Sequence, residues 1–260
     1  MKLCRFALNE LEPPRLGCLE GRHVLPYPPG ETFATLTSPI TDKAIALQDV
    51  SLLSPVEPSK IICVGRNYLK HAMEFGNKVP DEPLLFLKAP SSIIADGETI
   101  ELPPESQQVE HEGELGVVIG RTARKIGEDE DPLSYVLGYT CVNDVTARDL
   151  QRKDVQFTRA KSFDTFCPVG PFIVTDLNPL DVEVTTRLNG ELKQRGRTSA
   201  MALSVPFLIR YISKIMTLYP GDLIATGTPA GVSKMKDGDL VEVEVEGIGV
   251  LRNQVRDTNL

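Results

Sequence analysis

Two short stretches carry residues whose type and spacing suit chemistry: VEHEGELGVVIG at 109–120 and NDVTARDLQ at 143–151. In the first, Glu112 and Glu114 stand two residues apart, just before the apolar run Val117, Val118 and Ile119. Side chains at i and i+2 leave a strand on one face. Paired carboxylates repel unless a cation or a proton sits between them. The second stretch adds Asp144 at the end of the strand-like run VLGYTCV. Three hard oxygen ligands, with no Cys or His cluster beside them, suit Mg²⁺ or Mn²⁺ rather than Zn²⁺.

Each of these signals has a plainer alternative. Glu110 shares the parity of Glu112 and Glu114, and parity does not say which pair would hold a metal. Such a run also fits a solvated edge-strand face. The apolar residues next in the chain weaken that alternative, because a strand buried on both faces cannot leave carboxylates unpaired. Asp144 also fits turn and capping chemistry through Thr146 and Asp149.

Further candidates lie elsewhere in the chain. His71 and Glu74, at i and i+3 in NYLKHAMEFG, would face each other on a helix, and the carboxylate would orient the imidazole and raise its basicity. A surface ion pair fits the same spacing. Gln151 falls two helical turns beyond Asp144 and could hold a substrate oxygen as a neutral amide. Lys161, ahead of a Pro-Gly loop, is either solvated or a contact for an anionic substrate. The loop ATGTPAGV (225–232) offers backbone N–H groups and the Thr228 hydroxyl to a carboxylate. It lacks the G-K-[ST] of a Walker A sequence.

The elements that must position these groups are mostly strands. Residues 1 to about 55 read as a small N-terminal lobe: CRFAL and RLGCLEG as strands of a meander, then a proline-rich stretch and a weak helical run at Ala44, Ile45 and Leu47. SPVEPSK is the linker, and residues 56–260 form the main domain. IICVG, LLFLK, ELGVVIG, VLGYTCV and GPFIVT read as buried strands. Asn189-Gly190 marks a hairpin. SVPFLIRYISKIM is an amphipathic helix with Ser204 as N-cap and Val205, Leu208, Ile209, Ile212, Ile215 and Met216 on its apolar face. Val241, Val243 and Val245 alternate with Glu242, Glu244 and Glu246 in a closing strand.

Composition removes several function classes. A net charge of -8 with no Lys/Arg run argues against a nucleic-acid surface. No apolar stretch reaches the length of a membrane span, and the N-terminus has no signal-peptide core. Five cysteines without a C-x-x-C pair point to a reducing cytoplasm, and a catalytic cysteine would need an activating base nearby.

Taken in order, GRNYLKHAMEFG, PLLFLKAPSSI, VEHEGELGVVIG, GYTCVNDVTARDLQ, KSFDTFCPVGP, LNGELKQ and GDLIATGTPAGV resemble the fumarylacetoacetate hydrolase family over roughly residues 60–250. The resemblance is strongest to the single-domain branch of acylpyruvate hydrolases, oxaloacetate decarboxylases and hydroxyhepta-dienedioate isomerases. It implies an α+β, mostly β fold: a roll of mixed sheets with a small N-terminal lobe, assembled as a homodimer. It implies Mg²⁺ or Mn²⁺ on Glu112, Glu114 and Asp144, with Glu110 behind them or facing solvent. It implies a His71–Glu74 dyad on a lid over about 69–81 that orders with substrate. Lys161 and Gln151 match its substrate-carboxylate and oxyanion contacts, and Thr228 matches the threonine of its glycine loop. Arg66 and Arg148 lie inside matching motifs as further substrate contacts.

The chemistry implied is a 2-oxo acid chelated to the metal and an enolate stabilised there. Hydrolysis of the C–C bond of an acylpyruvate is the leading expectation. Oxaloacetate decarboxylation and hydroxyhepta-dienedioate isomerisation are the alternatives. A non-catalytic metal-binding protein is the remote one.

Overall fold

The computed structural model describes every residue except 10, 11, 75, 79, 259 and 260. Phe75 and Val79 belong to the 69–81 segment expected as a lid, so that part of the expectation lies outside the described residues.

Strands dominate, as the alternating and continuous apolar runs require. The large sheet is mixed. Its central order is Lys2–Ala7, Cys167–Val174, Val136–Asn143, Gly113–Ile119, Leu223–Ala225, Ile61–Gly65 and Leu84–Lys88. Most neighbours are antiparallel, while Leu223–Ala225 runs parallel to Ile61–Gly65. The N-terminal meander adds Arg15–Glu20, His23–Pro26 and Ile45–Ala46 beyond Lys2–Ala7. It is therefore hydrogen-bonded into the large sheet, with Lys2 opposite Val174.

A second sheet of five strands runs Glu191–Arg197, Glu183–Leu188, Leu240–Val245, Gly249–Asp257 and Thr99–Leu102. Its hairpin turns at Asn189 and Gly190, both at positive φ (54° and 79°), the geometry of a two-residue type I′ turn. Val241, Val243 and Val245 are buried and Glu244 and Glu246 exposed, as alternation predicts.

The strand Gly113–Ile119 is buried along its whole length. Leu115, Val117 and Ile119 enter one apolar cluster, shared with Val241, Val243 and Val245, and Val118 enters another on the opposite face. Gly116 sits opposite Thr140, where a Cβ would meet Val142 at 2.6 Å. A strand covered on both faces in this way makes any charge at its end a buried charge.

The helix Val205–Ile215 buries Val205, Leu208, Ile209 and Ile212. Ile215 is 56% exposed and drops off the expected face. Ser204 holds the N-cap position, but its side chain makes no capping hydrogen bond. The helical run expected at 44–47 is replaced by two single 3₁₀ turns around Ile45–Ala46, because Ile45 pairs with Val24. Leu69–Glu74 is a helix of six residues.

Candidate active site

The acidic cluster is assembled by register. Gly113 pairs with Asn143 and Glu114 with Val142, so Asp144 leaves its strand beside the two glutamates. The Asp144 N–H donates to the Glu112 carbonyl (2.8 Å), and the Glu112 N–H donates to Asn143 Oδ1 (2.9 Å). One oxygen from each of Glu112, Glu114 and Asp144 lies within 4.8 Å of the others, and all three residues are buried. Glu110 does not continue the same strand, as parity had suggested. It sits in a separate two-residue strand, Val109–Glu110, paired with Thr146–Ala147, and it is buried rather than solvent-facing.

Three cations enclose these acids. Lys161 Nζ donates to Glu112 Oε2 (2.8 Å) and Asp144 Oδ2 (2.6 Å). Lys88 Nζ donates to Asp144 Oδ1 (2.6 Å) and to the Val145 carbonyl (3.1 Å). Arg148 Nε donates to Glu110 Oε2 (2.8 Å), and its Nη2 pairs with Glu112 Oε1. Four carboxylates against three cations leave one negative charge in excess. The excess falls on Glu114, whose carboxylate accepts the Gly227 N–H (2.7 Å). Burial, with the charges of Asp144 and Glu112, pushes its carboxyl well above the usual range. Burial also works on Glu112, but the Lys161 and Arg148 charges outweigh it and hold that carboxyl low.

A buried trio that carries one negative charge in excess could hold one more cation. The donor set is all carboxylate oxygen, which fits Mg²⁺ or Mn²⁺.

His71 lines the same cavity as the trio, with Glu74 beside it. His71 Nδ1 lies 3.2 Å from Glu74 Oε2, and Glu74 Oε1 accepts the Gly231 N–H (3.1 Å). A hydrogen on Nδ1 facing the carboxylate puts the basic lone pair on Nε2.

Of the ten residues singled out from sequence, nine line one cavity of about 300 Å³, and the tenth, Glu74, stands behind His71. Their occupations differ from the expectations in several places. Lys161 spends its ammonium on two carboxylates of the trio. Arg148 bridges Glu110 and Glu112 and donates through Nη1 to Gln151 Oε1 (2.6 Å). The Thr228 hydroxyl donates to the Gly113 carbonyl (2.8 Å), so its hydrogen is committed within the protein. Two N–H groups of the glycine loop serve Glu114 and Glu74. Thr146 and Asp149 do not form a capping box: the helix Arg148–Lys153 begins after Ala147 without a side-chain cap. Asp149 instead accepts from Ser106 Oγ (2.6 Å) and the Gln107 N–H (2.9 Å). Arg66 sits at the cavity wall with φ 60°, a left-handed conformation uncommon for a non-glycine residue.

Lys88 carries a role that the residue patterns did not assign. Its signal was present, since LLFLK closes an apolar strand on a lysine, and lysine is almost never buried unless paired. Gln194 and His111, both buried, were also unassigned. The five cysteines are free and buried, and burial pushes the Cys167 thiol, near the trio, up to about 12. None is poised as a thiolate nucleophile.

The mixed β roll thus ends in a buried cage of carboxylate oxygens that shares its cavity with an imidazole. Residues 60–256 match the family described as Fumarylacetoacetate (FAA) hydrolase C-terminal. The chain belongs to this fumarylacetoacetate hydrolase family. It is 48% identical over 228 residues to an uncharacterized protein of Methanocaldococcus jannaschii, covering 88% of this chain and 96% of that one. It is 44% identical over 225 residues to an oxaloacetate tautomerase of Bacillus subtilis, covering 81% of this chain and 74% of that one. Among solved structures, 2-hydroxyhepta-2,4-diene-1,7-dioate isomerase from Mycobacterium marinum matches over the whole of both chains, at TM-score 0.88 and 41% identity. No helix among the described residues is long and apolar enough to cross a membrane.

Proposed function

We propose that the chain catalyses metal-assisted proton transfer on small 2-oxo diacids. The substrate is either the keto and enol forms of an oxaloacetate-type acid or a 2-hydroxy-dienedioate whose double bond shifts. The observation that supports this reading is that His71, within hydrogen-bond distance of Glu74, lines the same cavity as the carboxylate trio. Tautomerisation and isomerisation need only a proton moved between carbon and oxygen or between two carbons, and one base suffices. Acylpyruvate hydrolysis needs an attacking water in addition. The relatives named for oxaloacetate tautomerisation and dienedioate isomerisation support the simpler chemistry.

Glu112, Glu114 and Asp144 would hold Mg²⁺ or Mn²⁺. Bound there, the cation supplies Lewis-acid stabilisation for negative charge developing on the 2-oxygen. The chain's own residues do the rest. Lys88, outside the cavity lining, and Arg148, on it, hold the carboxylates in place through charge-assisted hydrogen bonds. Glu74 holds the His71 ring so that Nε2 takes the proton from the substrate carbon and returns it. Leu84, Phe86 and Phe157 form an apolar wall that excludes water. Arg66 and Arg152, on the same cavity, supply positive charge for the distal carboxylate of a diacid.

The test is a panel with Mg²⁺ or Mn²⁺ comparing oxaloacetate tautomerisation, dienedioate isomerisation and acylpyruvate cleavage. The expected result is a kcat/KM for proton transfer at least about tenfold above cleavage, a difference of some 1.4 kcal/mol in transition-state stabilisation. Faster acylpyruvate cleavage would restore the hydrolase reading.

A further inference from the structure

Gln194 is fully buried in the strand Glu191–Arg197, outside the cavity wall. Its amide nevertheless joins the acidic strand, His111 and the glycine loop. Oε1 accepts the Gly113 N–H (3.0 Å) and lies 3.1 Å from His111 Nδ1. Nε2 donates to Thr228 Oγ1 (2.7 Å) and to the Pro229 carbonyl (2.6 Å). A carbonyl can only accept, so the amide has one orientation. His111 must then carry its hydrogen on Nδ1, with Nε2 toward Ser233 Oγ (2.8 Å).

The loop 226–231, thus bolted to the acidic strand, holds both halves of the site. The Gly227 N–H binds Glu114, and the Gly231 N–H binds Glu74. The backbone is closely packed at Gly231 in the loop and at Gly113 in the acidic strand. Gly231 has φ 105°, and a Cβ there would meet the Lys193 carbonyl at 2.0 Å. Gly113 is as close to the second sheet: a Cβ would meet Thr186 Oγ1 at 2.1 Å.

We propose that Gln194 is a positioning residue, whose amide sets the distance between the carboxylate trio and the His71–Glu74 base by fixing the loop that touches both. The proposal rests on the reading of that dyad as the base. A buried amide with all its donors and acceptors matched is a rigid connector, and replacing half of it leaves buried partners unmatched.

The test is Gln194→Glu in the full chain, which keeps an acceptor for Gly113 and His111 but sets a carboxylate oxygen against the Pro229 carbonyl. Hydrogen exchange without substrate should rise on the order of tenfold in 226–231 and 69–74, while 114–119 stays within a few-fold. In calorimetry, Mn²⁺ affinity should change by less than about tenfold, while kcat at saturating Mn²⁺ falls about 10²-fold and KM much less. Unchanged exchange in 69–74 overturns the proposal. So does a loss confined to Mn²⁺ affinity. Should Gln194→Glu lose protection throughout the chain, Thr228→Val, which removes one hydroxyl of the same bolt, decides. Local loss at 69–74 supports the latch, and unchanged exchange there overturns it. If the wild-type chain turns over no 2-oxo diacid, the proposed function fails, but the exchange result still stands.

Discussion

Two stretches of this chain alternate glutamates, Glu110-Glu112-Glu114 and Glu242-Glu244-Glu246, and they meet opposite fates. In the second, the residues between are valines that fill the core, so the glutamates face outward, and Glu242 meets Arg252 at 3.0 Å at the surface. In the first, the residues between are His111 and Gly113, neither of which covers the core as a valine would. His111 is tied to Gln194 and Ser233, and Gly113 lets the second sheet approach. The glutamates there are forced inward, among Lys88, Arg148 and Lys161. Alternation alone does not place an acid inside or outside. The residues interleaved with it, and those next along the strand, decide.

The comparison breaks most visibly at Glu114. Glu114→Gln should weaken Mn²⁺ binding by more than about 10²-fold, beyond the scale of losing a ligand's outer partner, and abolish turnover. Glu244→Gln, on the outward-facing run, should leave both unchanged. Calorimetric titration of the two variants side by side is the measurement, and equal Mn²⁺ affinity in both would end the metal reading.

His71→Ala comes next. Proton transfer should fall by about 10²-fold or more, the usual scale for a general base, with Mn²⁺ affinity retained. Any oxaloacetate decarboxylation should suffer less, because the cation-stabilised step needs no base. Equal loss of the two activities would remove that division.

The third prediction uses the opposite shifts inside the cluster. Glu114, raised by burial and by Asp144 and Glu112, leaves the cation-free chain most stable below the ordinary carboxylate range and costs stability as pH rises toward its raised value. Glu112, held low by Lys161 and Arg148 against its burial, acts in the other direction: its contribution is present above the ordinary range and is lost as pH falls through its lowered value. Without metal, Glu114→Gln should therefore be more stable than wild type at neutral pH, by urea midpoint, and the gain should vanish in acid. A gain that persists at low pH would show that shape, not charge, causes it.

Much of this was legible from residue types. The strand Gly113–Ile119 announced its burial through a continuous apolar run, and the Asn189-Gly190 hairpin through its turn chemistry. Seven cavity residues came out of local patterns, and Arg66 and Arg148 came from the resemblance to the family. What pattern could not show was which donor meets which acceptor. The ammonium of Lys161 goes to the trio, and the Thr228 hydroxyl goes to Gly113, because the fold brings a short helix and a loop from elsewhere in the chain against the acidic strand. Lys88 and Gln194 are 56 and 83 residues from the partners they hold, Asp144 and His111, so no local window contains the pair. The weak helix at 44–47 failed for a related reason: pairing of Ile45 with Val24 outweighed a marginal local preference.

The smallest effect expected lies in the outward-facing run. Glu242 and Arg252 form a pair across neighbouring strands, with side chains 20% and 53% exposed. Water screens such a pair, and holding two long side chains in one geometry costs entropy that offsets most of the attraction. Glu242→Gln should therefore change stability by no more than about 0.5 kcal/mol, with activity unchanged. Raising the salt concentration should reduce even that difference, since exposed charges are screened within a Debye length. The acidic trio should resist the same salt, because its charges are enclosed by protein rather than by water. A Glu242→Gln loss several times larger and insensitive to salt would mean that the two glutamate runs differ less than their surroundings imply. The rule that interleaved residues decide the fate of an alternating acid would then fail on this chain.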